Sequence, residues 1–208
     1  MRTATVAGCR RRPTARLTLA AFPYENSSMQ TRCALVGMPG SGKSTVGRQL
    51  ARRLGLPFID LDQRLEQQLG TSIRNYFEQH GEQAFRDHES ALLAALADEP
   101  GGMILSTGGG AVLRPENREA LRRSFPHVMY LRASPEEIFR RIKHDRTRPL
   151  LQVADPLARL RELYRDRDPL YRETARYVIE TGRPTVNTLV NMAMMQLEMA
   201  PGKPDLNT

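Results

Sequence analysis

Gly37-Met-Pro-Gly-Ser-Gly42-Lys43-Ser44 follows the short apolar run Cys33-Ala-Leu-Val36 and opens a helix-patterned stretch from about Lys43 to Leu54. A glycine, four residues, then Gly-Lys-Ser between a buried strand and a helix is the pattern of a loop that wraps phosphate. Its glycines let backbone N–H groups point inward at one phosphate chain. The helix behind adds its positive N-terminal end. Lys43 supplies a point charge suited to β- and γ-phosphates, and the neutral Ser44 hydroxyl suits Mg²⁺.

Outward from this loop, apolar strand-like runs alternate with helical patterns. Strands are predicted at 57–60, 102–106, 127–131 and 177–180. Helices are predicted near 72–79, 82–97, 115–123, 134 onward, 157–176 and 184–199, with Pro169 expected to break or kink its helix. Ser134-Pro-Glu-Glu137 is a helix start, with serine as cap and acids in the first turn. Alternating strands and helices predict a three-layer α/β/α domain on a parallel sheet, over residues 29–200. The tail 201–208 is expected to be flexible.

The 208 residues carry a net charge of +8. Residues 1–28 hold five arginines against Glu25, a net +4, so half of that excess sits in one segment. It reads either as a basic transit peptide or as sequence upstream of a start at Met29, and the second reading is preferred. No aromatic-basic platform accompanies the charge, which argues against nucleic acid. No run approaches the ~18 apolar residues of a membrane span. Two cysteines, Cys9 and Cys33, make no disulfide framework or zinc spacing. With no secretory signal, these features point to the cytoplasm, or to an organelle if residues 1–28 are a transit peptide.

Further residues bear on an acceptor. Asp60 and Asp62, read as the end of a strand, place two carboxylates on one face of an extended chain. They suit Mg²⁺, an acceptor hydroxyl and its proton, or simply a helix cap. Gly108-Gly109-Gly110 is a tight turn after a strand, either for backbone contact with a ligand or for the turn alone. Arg86, Arg148 and Arg172 are candidate anion-binding forks, although a lone arginine is most often solvated.

Together these elements resemble the shikimate kinase family of P-loop kinases, from about Gln30 to Leu189. The order is the phosphate loop, Asp60-Leu-Asp62, Gly81-Glu-Gln-Ala-Phe-Arg86 with Glu89, Gly108-Gly-Gly-Ala-Val112, Arg148-Pro-Leu-Leu151 and Asp168-Pro-Leu-Tyr171-Arg172. The resemblance implies a nucleoside monophosphate kinase-like fold with a mobile lid, and transfer of the γ-phosphoryl of ATP to the 3-hydroxyl of shikimate. Gly40, Ser41, Gly42, Lys43, Ser44, Thr45, Arg141, Arg148 and Arg183 would bind ATP. Asp62, Arg86, Arg172 and Gly108–Gly110 would bind shikimate. Ser44 would hold Mg²⁺, with Asp60 and Ser106 acting through water. Lys43, Asp60, Asp62 and Arg148 would be catalytic, with Asp60 as acid/base, and the protein would be a monomer. A gluconate or nucleoside monophosphate kinase, and a binding protein without catalysis, are the competing readings.

Overall fold

The computed structural model describes residues 31–143 and 153–199; Arg148, the segment 1–28 and the tail 201–208 lie outside them. The elements run β1 (Arg32–Val36), α1 (Lys43–Leu54), β2 (Phe58–Asp60), α2 (Leu61–Leu69), α3 (Ile73–Asp98), β3 (Met103–Ser106), a 3₁₀ turn (Ala111–Leu113), α4 (Pro115–Ser124), β4 (His127–Arg132), α5 (Pro135–Ile142), α6 (Pro156–Thr174), β5 (Tyr177–Glu180) and α7 (Val186–Glu198). The sheet order is β2-β3-β1-β4-β5, with every pairing parallel.

Residue alternation along the strands divides the core. Cys33, Leu35, Ile104, Met129 and Leu131 pack with α1 and α7 on one face. Ala34, Val36, Met103, Leu105, Val128 and Tyr130 pack with α2 to α6 on the other. Because side chains point to opposite faces at a period of two, strands apolar throughout need helices on both sides. Full burial of a Leu or Ile side chain contributes about 2 kcal/mol.

Two local features depart from the sequence reading. First, the chain turns helical at Leu61, so Asp62 lies in the first turn of α2 and not on an extended strand. Leu61, Leu65 and Leu69 recur at helical spacing and pack into the core, which decides in favour of the helix. Second, α6 continues unbroken through Pro169. Proline removes a bond to the carbonyl four residues earlier. That carbonyl belongs to Arg165, whose side chain is 77% exposed, so water can reach the position. The two helices predicted around Gly81 are both present within α3 and meet at a break there, with φ 81° and ψ 165°.

Arg32, the first residue of β1, ties the far edge of the fold together. Its guanidinium donates to Leu96 O (2.7 Å), Ala97 O (3.3 Å), Gly101 O (3.2 Å) and Glu99 O, and its Nε to Ser124 O (2.9 Å). Those of Leu96, Ala97 and Ser124 are among the carbonyls that helix C-termini leave without an intrahelical partner, and those of Glu99 and Gly101 follow the end of α3. The same guanidinium lies 4.8 Å from the Phe125 ring centroid.

Among the described residues, no helix is long and apolar enough to cross a membrane.

Candidate active site

The loop between β1 and α1 is shaped by glycines. Gly37 adopts φ 146°, and a Cβ there would sit 2.6 Å from Leu131 O. Gly42, at φ 100°, is the cap of α1. Lys43 is buried and folds back over the loop, its Nζ donating to Gly37 O (2.9 Å) and Met38 O (3.0 Å). Ser41 Oγ is buried with no hydrogen-bond partner among the described residues.

Ser44 Oγ donates to Asp60 Oδ2 at 2.6 Å and lies 3.4 Å from Ser106 Oγ. Asp60 stands opposite Ser106 in the β2–β3 register. Its other oxygen accepts from Gln63 N at 3.5 Å, so it also caps α2. One oxygen of Asp60 thus faces Ser44 and the other the start of α2. Two hydroxyls and a carboxylate are hard oxygen donors of the kind Mg²⁺ takes when phosphates and water complete its shell, so these residues fit that ion. Among the described residues, no group of three His, Cys, Asp or Glu side chains could hold a metal unaided.

Two cavities open at the C-terminal ends of the strands, where ligands of α/β sheets bind. The larger, about 970 Å³, is lined by residues 39–46 and also by Asp60, Asp62, Thr107, Arg141, Thr181 and Pro184. It therefore brings together Gly40, Ser41, Gly42, Lys43, Ser44, Thr45 and Arg141. The Arg141 guanidinium donates to Ser41 O (3.3 Å) and to Thr181 O, bridging the phosphate loop and the β5–α7 turn. Arg183 is exposed and does not line this cavity; Thr181 and Pro184 of its turn do.

The smaller cavity, about 230 Å³, adjoins the first, and Pro39, Asp62 and Gly109 line both. Arg86, Glu89 and Gly108–Gly110 line it too. Arg86 Nη1 donates to Glu89 Oε2 at 2.6 Å, with side chains 12% and 1% exposed, and its Nη2 to Glu82 Oε1 at 2.9 Å. The other Glu89 oxygen is buried without a hydrogen bond. The triple glycine is here because nothing larger fits. A Cβ on Gly108 would lie 2.5 Å from an Asp62 oxygen, and one on Gly110 would run into the Arg86 guanidinium.

Arg172 is not brought to this cavity. It donates to Asp168 Oδ2 (2.7 Å) with its side chain 46% exposed. The residues that line the cavity from α6 are Arg159, Leu163 and Arg167, and Arg167 Nη1 donates to Gly109 O at 3.1 Å beside the Tyr171 hydroxyl at 2.5 Å. The correction follows from helical phase. Arg167 and Tyr171 are four residues apart and share a face, whereas five residues rotate Arg172 about 140° away from Arg167. Asp168 fixes that phase, accepting from Tyr130 OH (2.8 Å), Arg132 Nε (3.3 Å) and Arg172.

Burial pushes the Asp62 carboxyl up to about 6; Asp60 and Glu89 push the same way, while Lys43 and Arg86 oppose. Burial likewise raises Glu89 against the pull of Arg86.

The family model described as shikimate kinase matches residues 39–198, from the phosphate loop to the end of α7. The chain belongs to the shikimate kinase family. A shikimate kinase of Paracidovorax citrulli (strain AAC00-1) is 59% identical over 173 residues, 82% of this chain and 93% of that one. The shikimate kinase of Cupriavidus pinatubonensis is 56% identical over 165 residues, 79% of this chain and 85% of its own length. Among solved structures, the shikimate kinase from Acinetobacter baumannii in complex with shikimate superposes with a TM-score of 0.76 at 40% identity, covering 85% of this chain and 96% of that one. The parallel sheet between helical layers is thus a P-loop kinase fold, and the enzyme is an ATP-dependent kinase.

Proposed function

We propose that this shikimate kinase transfers the γ-phosphoryl of ATP to the 3-hydroxyl of shikimate, giving shikimate 3-phosphate and ADP for aromatic amino-acid biosynthesis. The observation that carries the reading is the pair of adjoining cavities that share Asp62, one shaped by a phosphate loop and the other lined by arginines that include Arg86 and Arg167. Transfer needs mainly alignment and charge neutralisation. Residues 40–45 and Arg141 bind the nucleotide. Arg86 and Arg167 take the acceptor's carboxylate with their planar forks. Asp62, on the shared wall, accepts hydrogen bonds from acceptor hydroxyls and takes the proton of the attacking one. Asp60 is the weaker candidate for that proton, because Ser44 and Gln63 N occupy its carboxylate. Ser44, with Asp60 and Ser106 acting through water, would hold Mg²⁺, which would supply countercharge to the β- and γ-phosphates. Arg148 is assigned to the transferring phosphoryl by family resemblance. The cytoplasm is the proposed location, as the cysteine usage of the sequence suggests. A monomeric state is assigned by family resemblance.

The test is ADP release from MgATP with and without shikimate. Release that depends on shikimate supports the reading; release indifferent to it, from protein that still binds ATP, rejects it.

A pH dependence follows from Asp62. Its folded value lies above the ordinary carboxylate range, so the fold favours the protonated form and loses stability as pH rises from about 4 through 6. Acceptor hydroxyls favour the ionised form. Calorimetric affinity for shikimate should therefore strengthen about tenfold from pH 5 to 7 and then level. Asp62→Asn should bind weakly with a flat profile. A flat profile in the wild type would remove Asp62 from the acceptor's hydroxyls.

A further inference from the structure

Resting on the reading above, we propose that Arg159 is a third acceptor-binding cation, one that captures the anionic substrate at the rim of the smaller cavity. Arg159, Leu163, Arg167 and Tyr171 recur every four residues along α6 and form one ladder. The first three line the smaller cavity, and Tyr171 closes the ladder on Gly109 O. Arg159 does not line the larger cavity and so lies away from the shared wall where transfer occurs.

The charges explain what a third cation adds. The charged side chains lining the smaller cavity are Arg86, Arg167 and Arg159 against Asp62 and Glu89. With both acids ionised, Arg86 and Arg167 only balance them. Arg159 gives the lining the single positive charge that a monocarboxylate acceptor needs.

The present partner of Arg159 is replaceable. Nη1 donates to Glu162 Oε2 at 2.9 Å, and the two side chains are 51% and 53% exposed. An exposed pair of this kind holds weakly and is screened by salt. An arriving carboxylate can displace Glu162, and the acceptor then moves inward to Arg86 and Arg167. Arg159 therefore acts on capture and retention, not on the chemical step.

Steady-state kinetics of the full chain with MgATP and shikimate test this on Arg159→Ala, Arg159→Lys, Glu162→Gln and Arg165→Ala. Arg165 lies on the same helix, 77% exposed and outside both cavities, and controls for general charge. Arg159→Ala should raise the shikimate KM roughly three- to fivefold, the range of an exposed ion pair, with kcat and the ATP KM unchanged. Its kcat/KM should depend less on ionic strength than that of the wild type. Arg159→Lys should retain most of the effect of the charge. Glu162→Gln should lower the shikimate KM by releasing Arg159. The role is overturned if Arg159→Ala matches Arg165→Ala, if kcat falls at constant KM, or if Glu162→Gln raises KM as Arg159→Ala does. In that last case the pair merely holds the first turns of α6. A wild type with no shikimate-dependent turnover rejects the functional reading and the Arg159 role together. An active wild type with an unaltered Arg159→Ala rejects the Arg159 role alone.

Discussion

Replacing Lys43 with alanine should lower kcat by about 10²- to 10³-fold, the usual cost of removing one preorganised charge-stabilising group. Lys43 is buried at the start of α1, and its Nζ hydrogen-bonds to Gly37 O and Met38 O, which keep the ammonium over the loop. A cation held in place before the reaction need not reorganise as charge builds on the transferring phosphoryl. The loss should therefore fall on kcat more than on the shikimate KM. Arginine should not restore it, because a planar fork does not fit a niche shaped for a compact ammonium. Near-normal turnover of a folded Lys43→Ala enzyme, measured by ADP release, would falsify the assignment of this cavity to the triphosphate.

Arg86→Ala should be damaging in two separable ways. The substitution leaves Glu89, whose side chain is 1% exposed, without its 2.6 Å partner. Breaking a buried pair from one side costs about 3–5 kcal/mol, a large share of the ~5–15 kcal/mol that holds a typical domain together. Burial already raises the Glu89 carboxyl, and loss of Arg86 leaves that effect less opposed. The variant should thus lose further stability as pH rises, since the fold prefers Glu89 protonated. Separately, shikimate binding should weaken by about 2–5 kcal/mol, the loss expected when a desolvated charge partner is removed. Adding Glu89→Gln should recover much of the stability in chemical denaturation and none of the affinity in calorimetry. If the double variant regained affinity, Arg86 would be acting through the fold and not on the acceptor.

Much of this site was legible in the sequence because some local patterns permit only one geometry. The phosphate loop is such a pattern, since its glycines, lysine and serine work only between a buried strand and a helix N-terminus. The triple glycine was legible as a tight turn, but its reason was not. Gly108 and Gly110 are crowded by Asp62, Glu89 and Arg86, which come from distant elements. Asp62 was misplaced on a strand because two acids around one leucine look alternating, and only the packing of Leu61, Leu65 and Leu69 reveals α2. Arg172 was read as the cation of this helix and Arg167 was missed, because nothing local fixes the phase of an arginine-rich helix. Tyr171, completely buried, would have fixed it: the residue one turn before a buried tyrosine shares its face. Arg183 was placed by its turn alone, and the turn reaches the cavity through Thr181 and Pro184 instead.

The clasp made by Arg32 limits how the chain can be shortened for study. Because one side chain at the start of the sheet closes the ends of two helices distant in sequence, a chain that keeps Thr31, whose carbonyl accepts from Met103 N, and Arg32 retains this clasp, whereas loss of Arg32 should fray α3 and α4 from their C-termini. Amide hydrogen exchange at Ala97–Gly101 and Ser124–Phe125 would report that fraying directly, far from the cut that produced it.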